Sequence, residues 1–318
     1  MKLTEHIEHR AGRTLFSFEL LPPLKGENFD AISQTIDPLI EFNPALIDVT
    51  YHREEIVYKE RPDGLLEKRT VRKRPGTVGI SAAIKFKYNI DVVPHIICGG
   101  FTREETENAL IDLYFLGIHN ILLIRGDNPA GEKTFRPEPG GHRFALELVE
   151  QAVHMNHGIY LEEDIVNANP TNFCIGVAGY PEKHAEAPNI ATDIAHLKQK
   201  VDAGADYIVT QMFFDNAAFF RFEKSCREAG IQVPIIPGIK PLSTRTQLTT
   251  LPKTFSIDLP EALAAEAEKC TNQQQIRALG VEWAIAQSRE LITAGVPVLH
   301  FYTMGKSDNI QQIAQAVF

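Results

Sequence analysis

Cysteine, tryptophan and long apolar runs are scarce in this chain. Its 318 residues include 4 cysteines and 1 tryptophan. Cys98, Cys174, Cys226 and Cys270 lie far apart, with no Cys-x-x-Cys pair. That spacing excludes a disulfide scaffold and a cysteine-rich metal site, and predicts thiols in a reducing, cytoplasmic setting. No stretch reaches the ~18 consecutive apolar residues of a membrane helix. The opening Met1-Lys2-Leu3-Thr4-Glu5-His6 has no apolar run behind it, unlike a secretory signal. Positive charge is also in deficit. Lys+Arg number 32 against 41 Asp+Glu, a net charge of -9, which argues against nucleic acid as a partner. No strand-like run is followed by Gly-x-Gly-x-x-Gly, so the fingerprint of an open dinucleotide-binding sheet is missing.

What the chain does have is alternation. Short β-rich apolar runs occur at Leu15–Leu21, Ala45–Tyr51, Val92–Cys98, Asn120–Arg125, Phe173–Gly179, Tyr207–Gln211, Val233–Pro237 and Val298–Tyr302. Helical spacing follows at Asn28–Phe42, Thr102–Leu116, Ala191–Ala203, Asn216–Ala229, Gln273–Ala294 and Ile310–Phe318. Thr102 with Glu105 three residues on is a capping box. Eight strand–helix units predict an α/β fold, a (β/α)8 TIM barrel occupying residues 1–318 as one domain. Uninterrupted runs such as Ile121-Leu122-Leu123-Ile124 suit strands buried on both faces. Three segments break the rhythm: the charged stretch His52–Pro75, the Gly/Pro-rich Asp127–Gly141, and Gly158–Thr171. All three read as connections, and the basic run Lys68–Arg74 reads as a solvated face or an anion contact.

Barrel enzymes build their sites at the C-terminal ends of the strands. Polar residues at such ends here are Glu19, Thr50, Tyr51, His95, Arg125, Asp127, Tyr180, Gln211, Lys240, His300 and Tyr302. Glu19 is the sharpest. Burial in an apolar strand raises a carboxyl pKa, which suits a general acid near neutral pH. A structural Glu paired across the barrel is equally compatible with residue type. Arg125-Gly126-Asp127 offers a guanidinium for phosphate, a close-approach glycine and a carboxylate, or else an ordinary turn. The stretch Gly126–Thr134 is like a P-loop, but Glu132 stands where the lysine is required. His95 and Cys98 lie three apart on a strand and face opposite sides, so they share no metal. Lys85 and Lys240 are the candidate Schiff-base lysines of an alternative lyase or aldolase reading.

The ordered motifs resemble the methylenetetrahydrofolate reductase family over nearly the whole chain. They are Phe18-Glu19-Leu20-Leu21-Pro22-Pro23, Asp48-Val49-Thr50-Tyr51, Pro94-His95 and Gly117–Asp127. Gly179-Tyr180-Pro181-Glu182-Lys183-His184, Lys200–Asp206, Thr210–Asp215, Ile236–Ile239 with Pro241, and His300–Thr303 follow. The resemblance implies a barrel with tightly bound FAD. NADH or NADPH would reduce the flavin, and 5,10-methylenetetrahydrofolate would then take its place and leave as the 5-methyl product, for methionine synthesis. It implies that Glu19 protonates N10 and opens the ring to a 5-iminium cation, and that Asp127 acts electrostatically near flavin and pterin. FAD contacts are implied for Thr50, Tyr51, His95, Arg125, Gly126, Asp127, Ala145, Tyr180, His184, Asp193 and Lys200. Folate contacts are implied for Gln211, Gln247 and Lys306, the last where the family often has Arg. No metal, nucleic acid or membrane partner is implied, and a homo-oligomer is expected.

Departures from the family pattern are Leu20 and Leu21 in place of aromatics, and His196 and Gln199 at altered FAD positions. The 158–171 segment reads as an insertion beside the fifth strand that alters the cofactor rim. At this length the S-adenosylmethionine regulatory half of eukaryotic members is not expected. An accessory folate-binding or electron-transfer subunit on the same fold is the remaining alternative.

Overall fold

The computed structural model describes residues 1–128 and 134–318. Part of the P-loop-like stretch, 129–133, lies outside the described residues. In chain order the elements begin with α1 (Leu3–His9), β1 (Leu15–Leu20), α2 (Asp30–Ile36), β2 (Leu46–Val49), β3 (Glu55–Glu60), β4 (Leu66–Val71) and α3 (Thr77–Tyr88). Then come β5 (Asp91–Ile97), α4 (Arg103–Phe115), β6 (Asn120–Ile124), α5 (Ala145–Asn156), β7 (Cys174–Gly179), α6 (Ile190–Asp202), β8 (Tyr207–Thr210) and α7 (Asn216–Glu228). The last are β9 (Ile235–Ile236), β10 (Gly238–Ile239), α8 (Gln247–Phe255), α9 (Glu261–Lys269), α10 (Gln273–Thr293), β11 (Val298–Tyr302) and α11 (Asp308–Val317). No described helix is long and apolar enough to cross a membrane.

The main sheet is parallel, in the order β10-β11-β1-β2-β5-β6-β7-β8-β9. β9 pairs with β8 and β10 pairs with β11, and only Pro237 separates β9 from β10. The sheet therefore closes on itself. The seventh barrel strand breaks at Pro237, which has no N–H to offer a ladder. Its carbonyl still accepts from the His300 N–H at 3.1 Å, so the seam stays bonded. All eight predicted strands are present, and the fold is a (β/α)8 barrel.

Alternation along the strands sorts side chains into two layers. Phe16, Phe18, Ile47, Val49, Ile121, Leu123, Ile175, Val177, Ile208, Leu299 and Phe301 pack outward under the helices. Leu46, Val93, Leu122, Cys174, Tyr207, Ile236 and Val298 fill the lower barrel, where Leu3 and Ile7 of α1 plug the N-terminal end. The same inward rows turn polar towards the C-terminal end, at Glu19, Asp48, His95, Lys240, His300 and Tyr302. The apolar plug below and the polar mouth above place any chemistry at one end.

The plug is latched by Asn120. Its buried side chain accepts from the Leu3 N–H at 2.7 Å and donates to the Met1 carbonyl at 2.9 Å. Asn120→Ala strands a buried N–H, and should cost roughly 1–3 kcal/mol. Urea unfolding checks the loss, and hydrogen exchange should show α1 opening first.

One connection differs from expectation. Within His52–Pro75, β3 and β4 form an antiparallel hairpin. Arg61-Pro62-Asp63-Gly64 makes its turn, with the Gly64 N–H on the Arg61 carbonyl at 2.9 Å. The basic run is thus split. Lys68 and Arg69 sit on the exposed hairpin, Arg72 lies 5.8 Å from the Tyr51 ring centre, and Arg74 bonds the Pro22 carbonyl. The 158–171 segment lines, through Ile159, Tyr160 and Leu161, a hollow shared with Arg103, His142 and Glu147. It leaves the C-terminus of α5 and folds along the outer surface, where the Leu161 N–H donates to Glu107 of α4 at 2.8 Å. As a helix-to-strand connection it starts from the barrel end opposite the site.

Candidate active site

At the barrel mouth, β1, β2 and β5 bring three ionisable groups together. Register pairs Glu19 with Asp48 on one side and with Tyr302 on the other. The His95 Nε2 lies 3.3 Å from Asp48 Oδ2 and 3.9 Å from Glu19 Oε2. Lys240 and His300 complete the cluster. His300 Nδ1 is 2.9 Å from Ser17 Oγ and 3.9 Å from Asp48 Oδ1. The Tyr302 hydroxyl donates to the Thr210 carbonyl at 2.7 Å, and the Thr303 hydroxyl holds the Glu19 carbonyl at 2.7 Å.

Burial raises the Glu19 pKa to about 7, against the pull of His95 and Lys240. Its side chain keeps 14% of its exposure, enough for a ligand to touch the carboxyl. Burial also opposes charge on His95. The Asp48 contact and the negative charges of Glu19 and Asp48 outweigh it, so the His95 pKa rises. Burial lowers Lys240 and His300, each partly held up by a carboxylate, Glu19 and Asp48 respectively. The cluster can hold and release a proton near neutral pH.

A cavity of about 480 Å³ lies beside the mouth, between the turn after β6 and the helices α5 and α6. Six of the residues assigned to FAD line it: Arg125, Ala145, Tyr180, His184, Asp193 and Lys200. His196 and Gln199 line it too. Gly126 makes the turn, at φ +83, where a Cβ would come within 3.1 Å of Ile97. Ala145 is the first residue of α5, and the Glu147 carboxylate closes that helix end, accepting from the Arg143 and Phe144 N–H groups at 2.7 and 3.4 Å. The Lys200 ammonium donates to the Ala178 carbonyl at 2.8 Å. Burial depresses its pKa to about 8, and the Asp193 charge offsets only part of this. Asp193 also accepts from the His184 N–H at 2.8 Å, and the His184 ring packs edge-on to Tyr180. Burial, then the Asp193 charge, pushes Tyr180 up to about 12, so it stays a neutral hydroxyl. Two cations, Arg125 and Lys200, and an aromatic wall fit the phosphates and ring of a dinucleotide.

The other assigned residues lie apart from this cavity. Tyr51 packs on Phe101, and Thr50 bonds the Leu20 carbonyl. Asp127 is exposed in the loop after β6, where its charge is felt at Tyr180 and His52. Gln247 and Lys306 share a small hollow of about 150 Å³ with Lys240 and Tyr302. Gln247 Oε1 is occupied by the Ser243 and Thr244 N–H groups at 2.7 and 3.2 Å, leaving its amide NH₂ for a ligand. Gln211 directly follows β8 at the C-terminal end of the barrel, its Oε1 accepting from the Met212 N–H at 2.9 Å.

Sequence reasoning passed over two partners. Asp48 was part of a motif but carried no role, because an inward carboxylate cannot be told from a strand-end residue without the register. Glu186 holds Arg125 through two oxygens at 2.6 and 2.8 Å. No spacing signal links residues so far apart in sequence. Of the candidate lysines, Lys85 is salt-bridged to Asp91, far from the mouth, whereas Lys240 is 5% exposed and next to Glu19.

Comparison with known proteins adds a family. The profile described as methylenetetrahydrofolate reductase matches residues 2–317. A Salmonella typhimurium protein named 5,10-methylenetetrahydrofolate reductase is 31% identical over 96% of this chain and 91% of its own length. A rice protein named probable methylenetetrahydrofolate reductase (NADH) is 31% identical over 96% of this chain. The chain spans 48% of that rice protein, about half the length of the plant and yeast relatives it matches. Among solved structures, a Clostridium thermocellum protein described as binding two copies of 5-methyl-5,6,7,8-tetrahydrofolic acid shares the fold. It aligns with TM-score 0.56 and 14% identity over 99% of this chain and 98% of its own.

Proposed function

The chain belongs to the methylenetetrahydrofolate reductase family, and on that premise we propose that it reduces 5,10-methylenetetrahydrofolate to 5-methyltetrahydrofolate. In this reading residues 1–318 form one catalytic barrel, NADH or NADPH is the reductant, and the product supplies methyl groups for methionine synthesis. FAD, when bound, supplies reversible hydride storage between the nicotinamide and the folate. Arg125 and Lys200 would hold its phosphates, and Ala145, Tyr180, His184 and Asp193 line the same cavity.

The observation that carries the mechanism is Glu19 in the barrel mouth. Its pKa of about 7 keeps a proton available at neutral pH. Glu19 donates that proton to the folate N10 as the C–N bond breaks, leaving the 5-iminium carbon ready for hydride. Asp127, in the loop beside the cavity, adds the negative charge that favours such a cation. Gln211, Gln247 and Lys306 orient the folate.

Two tests follow. The purified protein should carry about one FAD per chain, released on denaturation. Lys200→Met removes the buried cation and should weaken FAD retention by about 10- to 100-fold, the worth of a charged hydrogen bond. Flavin retained after ultrafiltration reads this out. A colourless protein that cannot be reconstituted with FAD contradicts the proposal.

A further inference from the structure

We propose that Asp48 is a positioning residue, which acts through the His95 ring to set how tightly Glu19 holds its proton. The inference rests on the reading of Glu19 as proton donor. It starts from geometry. Asp48 lies in the barrel interior on β2, opposite Glu19 in the parallel register. Its Oδ2 is 3.3 Å from His95 Nε2, and the same nitrogen is 3.9 Å from Glu19 Oε2. One ring nitrogen therefore faces both carboxylates.

The groups around Glu19 come from every neighbouring strand. Asp48 is on β2 and His95 on β5, while Tyr207 on β8 lies deeper and feels the Asp48 charge. Lys240 directly follows β10, and His300 and Tyr302 are on β11. Asp48 and His95 together act on Glu19 in two opposed ways. Directly, the Asp48 charge disfavours a second carboxylate nearby. Indirectly, Asp48 raises the His95 pKa and so favours the imidazolium, which in turn favours an ionised Glu19. His95 is the stronger electrostatic influence on Glu19, ahead of Asp48 itself. Removing the Asp48 charge should weaken the imidazolium, because burial opposes charging the ring and only the Glu19 charge then supports it. Glu19 then loses part of that cationic support and holds its proton more tightly. Asp48 thus makes Glu19 a stronger acid than burial alone would allow. A merely structural Asp48 would change stability without this signature.

The test is an infrared difference titration of the flavin-loaded protein, which follows the protonated-carboxyl stretch. Glu19→Gln identifies the Glu19 band by its loss. In the parent the midpoint should lie near 7. Asp48→Asn should raise it by about one pH unit, tenfold in proton affinity. His95→Asn alone should raise it in the same sense, which keeps the proposal testable if Asp48→Asn does not fold. In the His95→Asn background, Asp48→Asn should lower the midpoint, because only direct repulsion remains. An unchanged or lowered midpoint in either single variant overturns the proposal, as does a further rise in the double variant. The titration does not depend on turnover. Its failure leaves the proposed reaction standing, whereas a parent that fails to reduce the folate removes that reaction with the titration still readable.

Discussion

Glu19→Gln should slow folate reduction by roughly 10²–10⁴ while leaving flavin reduction by the nicotinamide near the parental rate. The glutamine keeps the shape and the hydrogen-bonding capacity of the acid but has no proton to give. Single-turnover kinetics of each half-reaction separates the two effects, and equal loss in both contradicts the acid role. The same substitution should stabilise the fold at alkaline pH. The sign follows from the raised pKa, about 7 in the folded protein against 4.5 for the free side chain. The protonated native form is favoured, so its stability contribution is complete below pH 4.5 and lost as pH rises through 7. Above that range a buried carboxylate is a cost that glutamine does not carry, on the order of 2–3 kcal/mol. Melting curves of parent and variant should therefore converge at acid pH and separate above neutrality, with the variant more stable. In the parent, the folate half-reaction should fall as pH rises past 7, because Glu19 is then ionised.

Gly280→Ala should destabilise the protein by roughly 3 kcal/mol or more, although alanine is the better helix former. Gly280 is inside α10, where the propensity gain would be about 1 kcal/mol. Packing reverses the sign. A Cβ there would lie 1.9 Å from the Leu242 carbonyl oxygen, with the Leu242 carbon and nitrogen at 2.7 and 2.8 Å. These are backbone atoms, so no side chain can rotate away, and α10 must separate from the loop after β10. That loop begins at Lys240 beside Glu19 and runs to Gln247. Denaturant titration measures the stability loss, and folate KM should rise with it. A neutral or stabilising Gly280→Ala would mean that the loop yields freely.

The barrel was legible because its strands are buried on both faces and stand out as continuous apolar runs. Val298–Tyr302 matches to the residue. The Val233–Pro237 run locates the seventh strand but not its break, since a two-residue piece on each side of a proline has no periodicity. The hairpin was missed although Arg61-Pro62-Asp63-Gly64 is a turn signal between two strands. Its charged, exposed residues hid the alternation. α3 was missed because Thr77–Tyr88 has apolar residues on several faces and little amphipathic contrast. At the site, Glu19 could be singled out from sequence, since a lone carboxyl in an apolar strand is costly. The cavity beside the mouth could be anticipated only through the family resemblance, because Arg125, Ala145, Tyr180 and Lys200 converge only when consecutive barrel units pack side by side. Asp48 needed the register for the same reason.

The central claim is that this chain passes hydride from a nicotinamide through bound FAD to methylenetetrahydrofolate. Anaerobic stopped-flow of the flavin-loaded protein tests it most directly. Mixing with NADH or NADPH should bleach the flavin absorbance. A second mixing with 5,10-methylenetetrahydrofolate should restore it, with one 5-methyltetrahydrofolate formed per flavin. Flavin that neither nicotinamide bleaches, or that the folate fails to restore, would contradict the account.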